Sequence, residues 1–273
     1  MDAKIPATAT VLTYNSARTL EECLASLGSF ADVLVLDGCS TDQTLEIARR
    51  YGARIETQQT APGPITDFTA IRERSFRLAA YDWVLVVDSD EIADALLVAG
   101  VRDAVVRNAA VVYRVERVPR VSGALIRHAY FSPDRVLRLV RRDCAAWAPG
   151  KRVHERLVVV PGTPVADLPG MLVTPWPSPD AFAAKDRHYL HLAFRVPLTA
   201  RPPIGRTVRS VIKNVAQAVR IAAYALWTSL RYGRRGGALS LRLHLRFAHY
   251  HILVARERLR QFVLGIRYVP PSS

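Results

Sequence analysis

Residues Trp83 to Glu91 read W-V-L-V-V-D-S-D-E, an apolar run that stops abruptly at carboxylates. Five apolar residues, four of them aromatic or β-branched, precede three acids within four positions. A short apolar run without alternation is typical of a strand buried on both faces, in the middle of a mostly parallel sheet. Ligands of open α/β sheets bind just outside the carboxyl ends of the strands, and this is where the acids follow.

Asp88 and Asp90 stand at i, i+2 spacing, so both are predicted to point to the same side of an extended chain. Clustered carboxylates repel each other, and a hard divalent cation such as Mg²⁺ or Mn²⁺ offsets their charge while sharing ligands with substrate phosphates. The alternative is a solvated acidic turn at a strand end. The nonapeptide alone leaves both interpretations open.

Upstream of this strand, the pattern predicts three strand–helix units. The predicted caps are Thr19 and Thr41 at two helix N-termini, with Gly52 following the second helix. Polar or acidic residues close three of the four strands, and this alternation indicates a parallel sheet with helices on both faces. The predicted strands are Ala7–Thr13, Val33–Leu36 and Ala53–Thr57, and the helices run from Thr19, from Thr41 to Tyr51 and from Phe68 to Ala80.

The pattern changes downstream of Glu91. A helix is predicted from there to about Asn108, followed by strands with no long helix between them. The fold class predicted for this part is therefore a mixed half packed against the parallel half. The predicted strands are Ala110–Val118, Val136–Val140 and Val153–Val160.

The charge of the chain lies at its C-terminal end. The net charge is +14; residues 1–194 hold 23 basic and 23 acidic side chains, whereas residues 195–273 hold 15 basic side chains and one acid, Glu257. Three cysteines without a C-x-x-C spacing fit a reducing compartment. The N-terminus lacks the layout of a signal peptide, and no apolar run is long enough to span a membrane. We expect a neutral globular body, residues 1–195, and a basic helical C-terminal extension, residues 196–273.

Within the extension, apolar residues recur at helical spacing from Thr207 to Tyr232. A second segment from Leu239 to Phe247 alternates like a strand, but its composition and continuation favour a helix. A basic amphipathic helix with Trp and Tyr suits the surface of an anionic membrane. The alternative is a helical hairpin that packs on the body and presents a solvated basic face.

Two other classes are weighed against these patterns. Basic charge alone would serve a nucleic-acid binder, but zinc-finger spacing, an RNP-type aromatic strand and a basic zipper are all missing from the sequence. The dinucleotide fingerprint G-x-G-x-x-G and the phosphate loop G-x-x-x-x-G-K-[ST] are also missing. A sugar-1-phosphate nucleotidyltransferase would need a glycine-rich loop where Tyr14, Asn15 and Ser16 stand.

Several segments together resemble the family 2 glycosyltransferases, which have the GT-A fold. The first strand and helix (T-V-L-T-Y-N-S-A-R-T-L), the second unit (L-V-L-D-G-C-S-T-D-Q-T-L) and the D-x-D strand ending at Asp90 carry the resemblance. Tyr130 to Asp134, the R-V-L-R-L that follows and V-H-E at 153–155 are similar to the subgroup of lipopolysaccharide-core β-1,4-glucosyltransferases. The match covers about residues 7–195.

The resemblance implies roles for individual positions. Asp88 and Asp90 would hold a divalent metal, Mn²⁺ or Mg²⁺, and Glu155, with His154 beside it, would be the catalytic base. His128 and Asp134 are left open between the acceptor side and a structural pair. Residues implied at the nucleotide are Thr13, Asn15, Asp37 and Asp42, with Arg72 or Arg74 at the diphosphate.

The implied reaction moves a sugar from a nucleoside-diphosphate sugar to a hydroxyl of a lipid-linked saccharide. A metal stabilises the leaving group, and a single base with a single displacement gives inversion at the anomeric carbon, whereas a retaining route would require a second protein nucleophile close by. On the resemblance we expect the protein in the cytoplasm, at the inner face of the cytoplasmic membrane, with no nucleic-acid partner. A local alternative remains for each acid and for His154, namely a turn, a cap or an ion pair.

Overall fold

The structure is a computed structural model. It describes residues 3–58, 68–108, 112–148, 157–176, 182, 186, 190, 194, 203–233 and 236–264. The chain forms two compact units, Met1–Pro119 with Asp134–Pro175, and Arg120–Pro133 with Trp176–Ser273.

The first unit begins with alternating strands and helices, as predicted. The elements are β1 (Ile5–Thr13), α1 (Ala17–Ser26), β2 (Phe30–Asp37), α2 (Thr44–Arg50), β3 (Arg54–Thr57), α3 (Phe68–Leu78) and β4 (Trp83–Asp88). Along the chain then follow β5 (Ile92–Ala93), α4 (Ala95–Arg107), β6 (Val112–Val121), β7 (Ala124–Leu125), β8 (Asp134–Arg141), β9 (Ala145–Trp147), β10 (Leu157–Val159) and β11 (Val165–Pro175), of which β7 belongs to the second unit.

One sheet orders its strands β3-β2-β1-β4-β8-β6-β11-β5. The pairs β3–β2, β2–β1 and β1–β4 are parallel, whereas β4–β8, β8–β6 and β11–β5 are antiparallel. The α/β fold class is therefore confirmed. The antiparallel strands continue the same sheet beyond β4, and β9 with β10 forms a small separate ladder.

Strand β4 is buried on both faces, which explains its unbroken apolar run. Leu85 and Val87 belong to the cluster that includes α1 and α4 residues, whereas Val84 and Val86 belong to a second cluster with Phe76 of α3. Successive side chains of a strand point to opposite faces, so each face of β4 requires its own apolar partners.

Two predicted helix caps are wrong, and the predicted glycine stop is confirmed. The N-cap of α1 is Ser16 and that of α2 is Gln43, not Thr19 and Thr41. Both helix N-termini are instead anchored by the carboxylate of Asp42, as described below. Gly52 follows α2 with a φ of 68° and donates its N–H to Arg49 O at 2.9 Å.

Downstream of β4 the structure differs from prediction at the start of α4 and in strand β11. The chain first forms β5, and α4 begins only at Ala95, where Asp94 Oδ1 accepts the N–H of Leu97 at 2.8 Å. Of the predicted strand Val153–Val160, only the part from residue 157 lies within the described residues. Strand β11 was not predicted, since Pro169 and Gly170 interrupt it and such residues disfavour an inner strand.

In the second unit, two long helices confirm the predicted helical extension. They are α5 (Ile204–Tyr232) and α6 (Leu241–Leu264). Asn214 of α5 hydrogen-bonds His251 of α6 at 3.0 Å, Ala218 and Ile221 share a cluster with Ala248, and the rings of Tyr224 and His244 lie 6.1 Å apart. Residue numbers rise along α5 as they fall along α6, so the helices are antiparallel. Among the helices that the structure describes, none has the length and apolar content needed to cross a membrane.

Candidate functional site

The carboxyl ends of three parallel strands bring the predicted acids together. Register pairs Thr13 of β1 with Asp37 of β2, and Leu12 of β1 with Asp88 of β4. Thr13 Oγ1 donates to Asp37 Oδ1 at 2.8 Å, which links two residues predicted at the nucleotide. Ser16 Oγ and Ser89 Oγ lie 3.0 Å apart, so the start of α1 meets the end of β4.

Asp37 is buried and held by its own loop. Ser40 donates its backbone N–H to Oδ2 at 2.7 Å and its hydroxyl to Oδ1 at 2.6 Å. The turn passes through a left-handed residue at Cys39, and Gly38 lies so close to the first loop that a Cβ there would come within 3.3 Å of Tyr14 Cδ2. The loop after β2 thus packs tightly on the loop after β1.

Asn15 joins the same two loops. Its backbone N–H donates to Ser40 Oγ at 2.8 Å, and its side-chain Oδ1 accepts the N–H of Thr41 at 2.9 Å. Asn15 has a φ of 48°, a left-handed conformation that asparagine tolerates better than most residues. Its amide oxygen is therefore engaged with protein rather than projecting freely.

The structure places Asp42 between two helix N-termini. Its Oδ2 accepts the N–H of Ala17 at 3.1 Å, and its Oδ1 accepts the N–H of Thr44 at 3.0 Å. Burial opposes ionisation, but the hydrogen bonds from Thr44 and Ala17 outweigh it and lower the pKa of Asp42. An acid at this place satisfies N–H groups that a helix start leaves without partners.

Asp88 lies in a cluster of opposite charges that sequence patterns did not reveal. Arg138 Nη2 donates to Asp88 Oδ2 at 2.9 Å and to Glu91 Oε1 at 2.7 Å, and Arg72 of α3 also pairs with Asp88. The backbone N–H of Asp88 donates to Glu91 Oε2 at 3.0 Å, while the N–H of Glu91 donates to Asp88 O at 2.9 Å. Arg117 Nη1 lies 4.0 Å from Glu91 Oε1.

The pKa values of the three acids of this turn shift in different directions. Burial alone would raise the pKa of Asp88, but the guanidinium groups of Arg138 and Arg72 hold it well below its usual range. Burial raises the pKa of Glu91, since its side chain is only 1% exposed. Partial desolvation, together with the negative charge of Asp88, raises the pKa of Asp90.

Asp90 is the acid whose negative charge a bound cation would balance. It lies at the surface of the site and, within the described part of the chain, it forms no ion pair. Burial and the neighbouring negative charge of Asp88 both raise its pKa. Carboxylate oxygens at this spacing match the ligand preference of Mg²⁺ and Mn²⁺, so the donor set fits such an ion. Among the described residues, no group of three or more acids, histidines or cysteines is arranged around one point.

The two arginines predicted at the diphosphate point to different places. Arg72 is buried and pairs with Asp88, as described above. Arg74 instead donates to Thr57 O at the end of β3 and lies 3.7 Å from Glu56. Only Arg72 reaches the cluster around β4.

Another polar residue of this edge was missed from the sequence. Gln58, just after β3, is buried and donates its Nε2 to Thr13 O at 3.1 Å, while its N–H donates to Asp37 O at 2.7 Å. Its Oε1 has no hydrogen-bond partner among the described residues. The only sequence signal for Gln58 was its position directly after the predicted strand Ala53–Thr57.

A cleft of about 620 Å³ opens beside Asp88. Trp147 of β9 and Leu157 of β10 line it, and these residues flank the segment that contains His154 and Glu155. His154 and Glu155 lie outside the described residues. The cleft is rich in guanidinium groups, since its lining includes Arg114, Arg117, Arg135 and Arg138.

The pair left open in the sequence takes two separate places. Asp134 accepts two hydrogen bonds from Arg117, at 3.0 Å and 2.7 Å, in the first unit. His128 stacks on Tyr232 in the second unit, with ring centroids 3.8 Å apart. Neither contact joins these residues to each other.

Comparison with known proteins finds one family model and several curated proteins similar to the chain. The model of a family described as Glycosyl transferase family 2 matches residues 8–144, half of the chain. The chain is similar to the lipopolysaccharide core biosynthesis glycosyltransferase LpsC of Rhizobium meliloti, with 24% identity over 159 residues, which cover 58% of this chain and 59% of that protein. A TPR repeat-containing protein of Synechococcus elongatus is 37% identical over 82 residues, 30% of this chain and 19% of its own length. The matches thus span less than two thirds of these relatives.

Among solved structures, the chain is similar to a TarS fragment from S. aureus in complex with UDP. The TM-score is 0.48 at 18% identity, covering 96% of this chain and 93% of that chain. Glucosyl-3-phosphoglycerate synthase from Mycobacterium tuberculosis, in complex with Mn²⁺, UDP and glucosyl-3-phosphoglycerate, gives a TM-score of 0.43 at 18% identity, covering 68% and 78%.

Proposed function

Since its family model covers half of the chain, the protein belongs to glycosyl transferase family 2, and we propose that it transfers a sugar from a nucleoside-diphosphate sugar to a hydroxyl of a lipid-linked glycan. The observation that carries this proposal is the meeting of Asp37 and the Asp88–Glu91 turn on either side of Thr13, at the carboxyl edge of the parallel strands. Ligands of α/β sheets bind at this edge.

The nucleotide would occupy the loops that follow β1 and β2. Asp37 and Thr13 form the floor there, and Asn15 and Asp42 keep the two loops in place through the hydrogen bonds described above. Because the loop backbone is fixed before the nucleotide arrives, less ordering is required on binding. Arg72, rather than Arg74, is the residue that would act near the diphosphate, through its pairing with Asp88.

A divalent cation, Mn²⁺ or Mg²⁺, would be held by Asp90 together with Asp88. Bound there, it would supply Lewis-acid stabilisation of the diphosphate leaving group. The protein itself supplies the position of the acids, because Arg138 and the reciprocal hydrogen bonds between Asp88 and Glu91 fix the turn that presents Asp90.

We assign the catalytic base to Glu155, with His154 beside it. The flanking residues Trp147 and Leu157 line the same cleft as Asp88, which supports this assignment. The base takes the proton of the acceptor hydroxyl, a contribution of roughly 10²–10⁴-fold in rate. A single base and a single displacement give inversion at the anomeric carbon.

The proposed acceptor is a saccharide anchored in a membrane, such as lipopolysaccharide core. The similarity to LpsC, a protein named for lipopolysaccharide core biosynthesis, supports this choice. We assign catalysis to residues 1–195 and membrane association to the basic residues 196–273, at the inner face of the cytoplasmic membrane. We propose no nucleic-acid partner, since the sequence contains no zinc-finger spacing, RNP-type aromatic strand or basic zipper.

The test is the release of nucleoside diphosphate from UDP-, GDP-, dTDP- and ADP-sugars, with and without Mn²⁺ or Mg²⁺. Wild type is compared with Asp90→Ala, Glu155→Ala and the matched control Asp103→Ala, whose acid is exposed on α4. We expect one donor to turn over with metal, Asp90→Ala and Glu155→Ala to be inactive, and Asp103→Ala to match wild type. If no nucleotide raises the melting temperature, with or without metal, and no donor turns over, the proposal is wrong.

A further inference from the structure

The α5–α6 hairpin of the second unit carries an exposed apolar surface. At about 100° per residue, the exposed apolar residues of α5 fall within an arc of about 80°, and those of α6 within about 40°. They are Ile204, Val208, Ile212, Val215, Val219, Leu226 and Leu230 on α5, and Leu241, Leu245, Ile252, Leu259 and Val263 on α6. We call these twelve side chains the hairpin face.

The hairpin face is separate from the surface that holds the helices together. The residues of α5 that contact α6 include Asn214, Ala218 and Ile221, and those of α6 include Ala248 and His251. On each helix the exposed stripe is therefore an additional apolar surface, beyond the one that the partner helix covers. A surface helix of a water-exposed hairpin needs only one such stripe.

Both stripes lie on the same side of the hairpin. Seen from its N-terminus, a right-handed helix places successive residues clockwise. The stripe lies about 120° clockwise from the α6-facing residues on α5, and about 70° clockwise from the α5-facing residues on α6. Because the helices are antiparallel, these two rotations lead to the same side of the plane through both axes. The stripes thus combine into one surface.

Basic residues border this surface on its α6 side. Residues 204–264 hold twelve Lys and Arg side chains and one acid, Glu257. On α5, Arg209, Lys213 and Arg220 lie about 120° from the centre of the stripe, toward the polar side of the helix. On α6, Arg242, Arg256 and Arg260 lie within about 80° of the stripe, on its outer flank. Long basic side chains can lay their stems on apolar surface while the charge stays in water.

The charge decides which partner fits. A second copy of this chain, placed face to face, would bring two strongly basic hairpins together with almost no acid to balance them. An anionic lipid surface instead offers apolar depth to the stripes and negative charge to the basic flank of α6, and each basic residue near it raises partitioning by about fivefold. Trp227 is half exposed next to Leu226 and suits the interfacial layer.

We propose that the hairpin lies flat on an anionic membrane, with the hairpin face buried in the interface and both helix axes parallel to the bilayer. This deepens the proposed function and rests on it only in taking the acceptor to be membrane-anchored. The surface is specified by both helices together, since neither stripe alone would orient the hairpin.

The test is co-sedimentation of the full chain with vesicles of phosphatidylcholine alone, or of equal parts phosphatidylcholine and phosphatidylglycerol. Val219→Asp on α5 and Leu245→Asp on α6 alter the hairpin face, where these side chains are 63% and 45% exposed. Val106→Asp is the matched control, since Val106 is an exposed valine of α4, 75% accessible, in the first unit. Circular dichroism checks that each variant is folded.

We expect binding to the anionic vesicles only, a loss of at least about tenfold for Val219→Asp and for Leu245→Asp, and wild-type binding for Val106→Asp. Equal binding of all variants would overturn the proposal, since charge alone would then account for it. Two other results would also overturn the proposal. One is a dimer in the absence of lipid that Val219→Asp dissociates, and the other is tight binding to duplex DNA that Val219→Asp leaves unchanged.

Nucleoside diphosphate release from a soluble donor is measured on the same variants. Vesicle binding without any donor turnover would reject the transferase and leave the membrane face standing. Donor turnover without vesicle binding would reject the membrane face and leave the transferase standing.

Discussion

The buried charge cluster around Arg138 allows a quantitative test of how the candidate site is held. Arg138 is 8% exposed and contacts both Asp88, at 2.9 Å, and Glu91, at 2.7 Å. Arg138→Met removes the charge and keeps a similar length of apolar side chain. Glu91 then remains buried, with Arg117 still 4.0 Å away among the described residues.

Breaking a buried pair by removing one partner costs about 3–5 kcal/mol, because the other charge is left uncompensated. We expect this loss in the free energy of unfolding, measured by urea denaturation of the full chain. The melting temperature should fall by roughly 6–20 °C, taking 2–4 °C per kcal/mol for a chain of this size class.

The matched control is Arg141→Met, three residues on along β8. Arg141 pairs at the surface with Asp143, at 2.8 Å, and such exposed pairs contribute little to stability because water screens them. A second variant, Arg138→Met with Glu91→Leu, removes both buried charges of one pair and should recover much of the loss. If Arg138→Met destabilises the protein no more than Arg141→Met does, the reasoning is refuted.

Three further variants test other parts of the structure. Asp42→Ala should lower the free energy of unfolding by about 1–2 kcal/mol, because two helix N-termini lose their hydrogen-bond acceptor. The control Asp103→Ala should change this free energy little. Urea denaturation measures both, and equal effects would contradict the capping role of Asp42. Gly170→Ala should destabilise the protein strongly, since Gly170 has a φ of 78° and a Cβ there would collide with α4. Its control, Gly162→Ala, has a φ of 85° with open space around it and should cost only about 1 kcal/mol. Similar melting temperatures for the two variants would contradict the steric argument. Burial lowers the pKa of His244 in the folded state, so its contribution to stability is complete above about pH 6.5 and is lost as the pH falls below that value. His244→Phe should flatten this loss, as measured by urea denaturation between pH 5 and 8, roughly the range where histidine titrates. An unchanged pH profile would show that His244 is not the source of the loss.

Local patterns predicted the elements of the fold well, because apolar spacing reports which face of an element is buried. The run from Trp83 to Val87 predicted a doubly buried strand, and the structure packs a separate cluster on each face of it. Caps were predicted less well. Thr19 and Thr41 have the right chemistry, but Asp42, which is distant from Ala17 in sequence, takes the N–H groups at both helix starts.

The candidate site divides in the same way. The acids at strand ends were visible in the sequence, because their position follows from where each apolar run stops. Glu91 was recognised only as one of the acids after β4, and Arg138 and Gln58 were missed as site residues, because their partners lie far away along the chain. Arg138 is 50 residues from Asp88 along the chain, and only the antiparallel pairing of β4 with β8 brings them together.

By itself, the sequence determined the α/β alternation, the acids at the carboxyl edge and a basic helical C-terminal part. These features depend on residue spacing within one element, which the chain encodes directly. The tertiary structure decided which cations balance Asp88 and Glu91, that Asp42 serves two helix starts, and that the stripes of α5 and α6 face the same side. Those features depend on strand register and on the direction in which helices pack, and both are set by contacts between residues far apart in the chain.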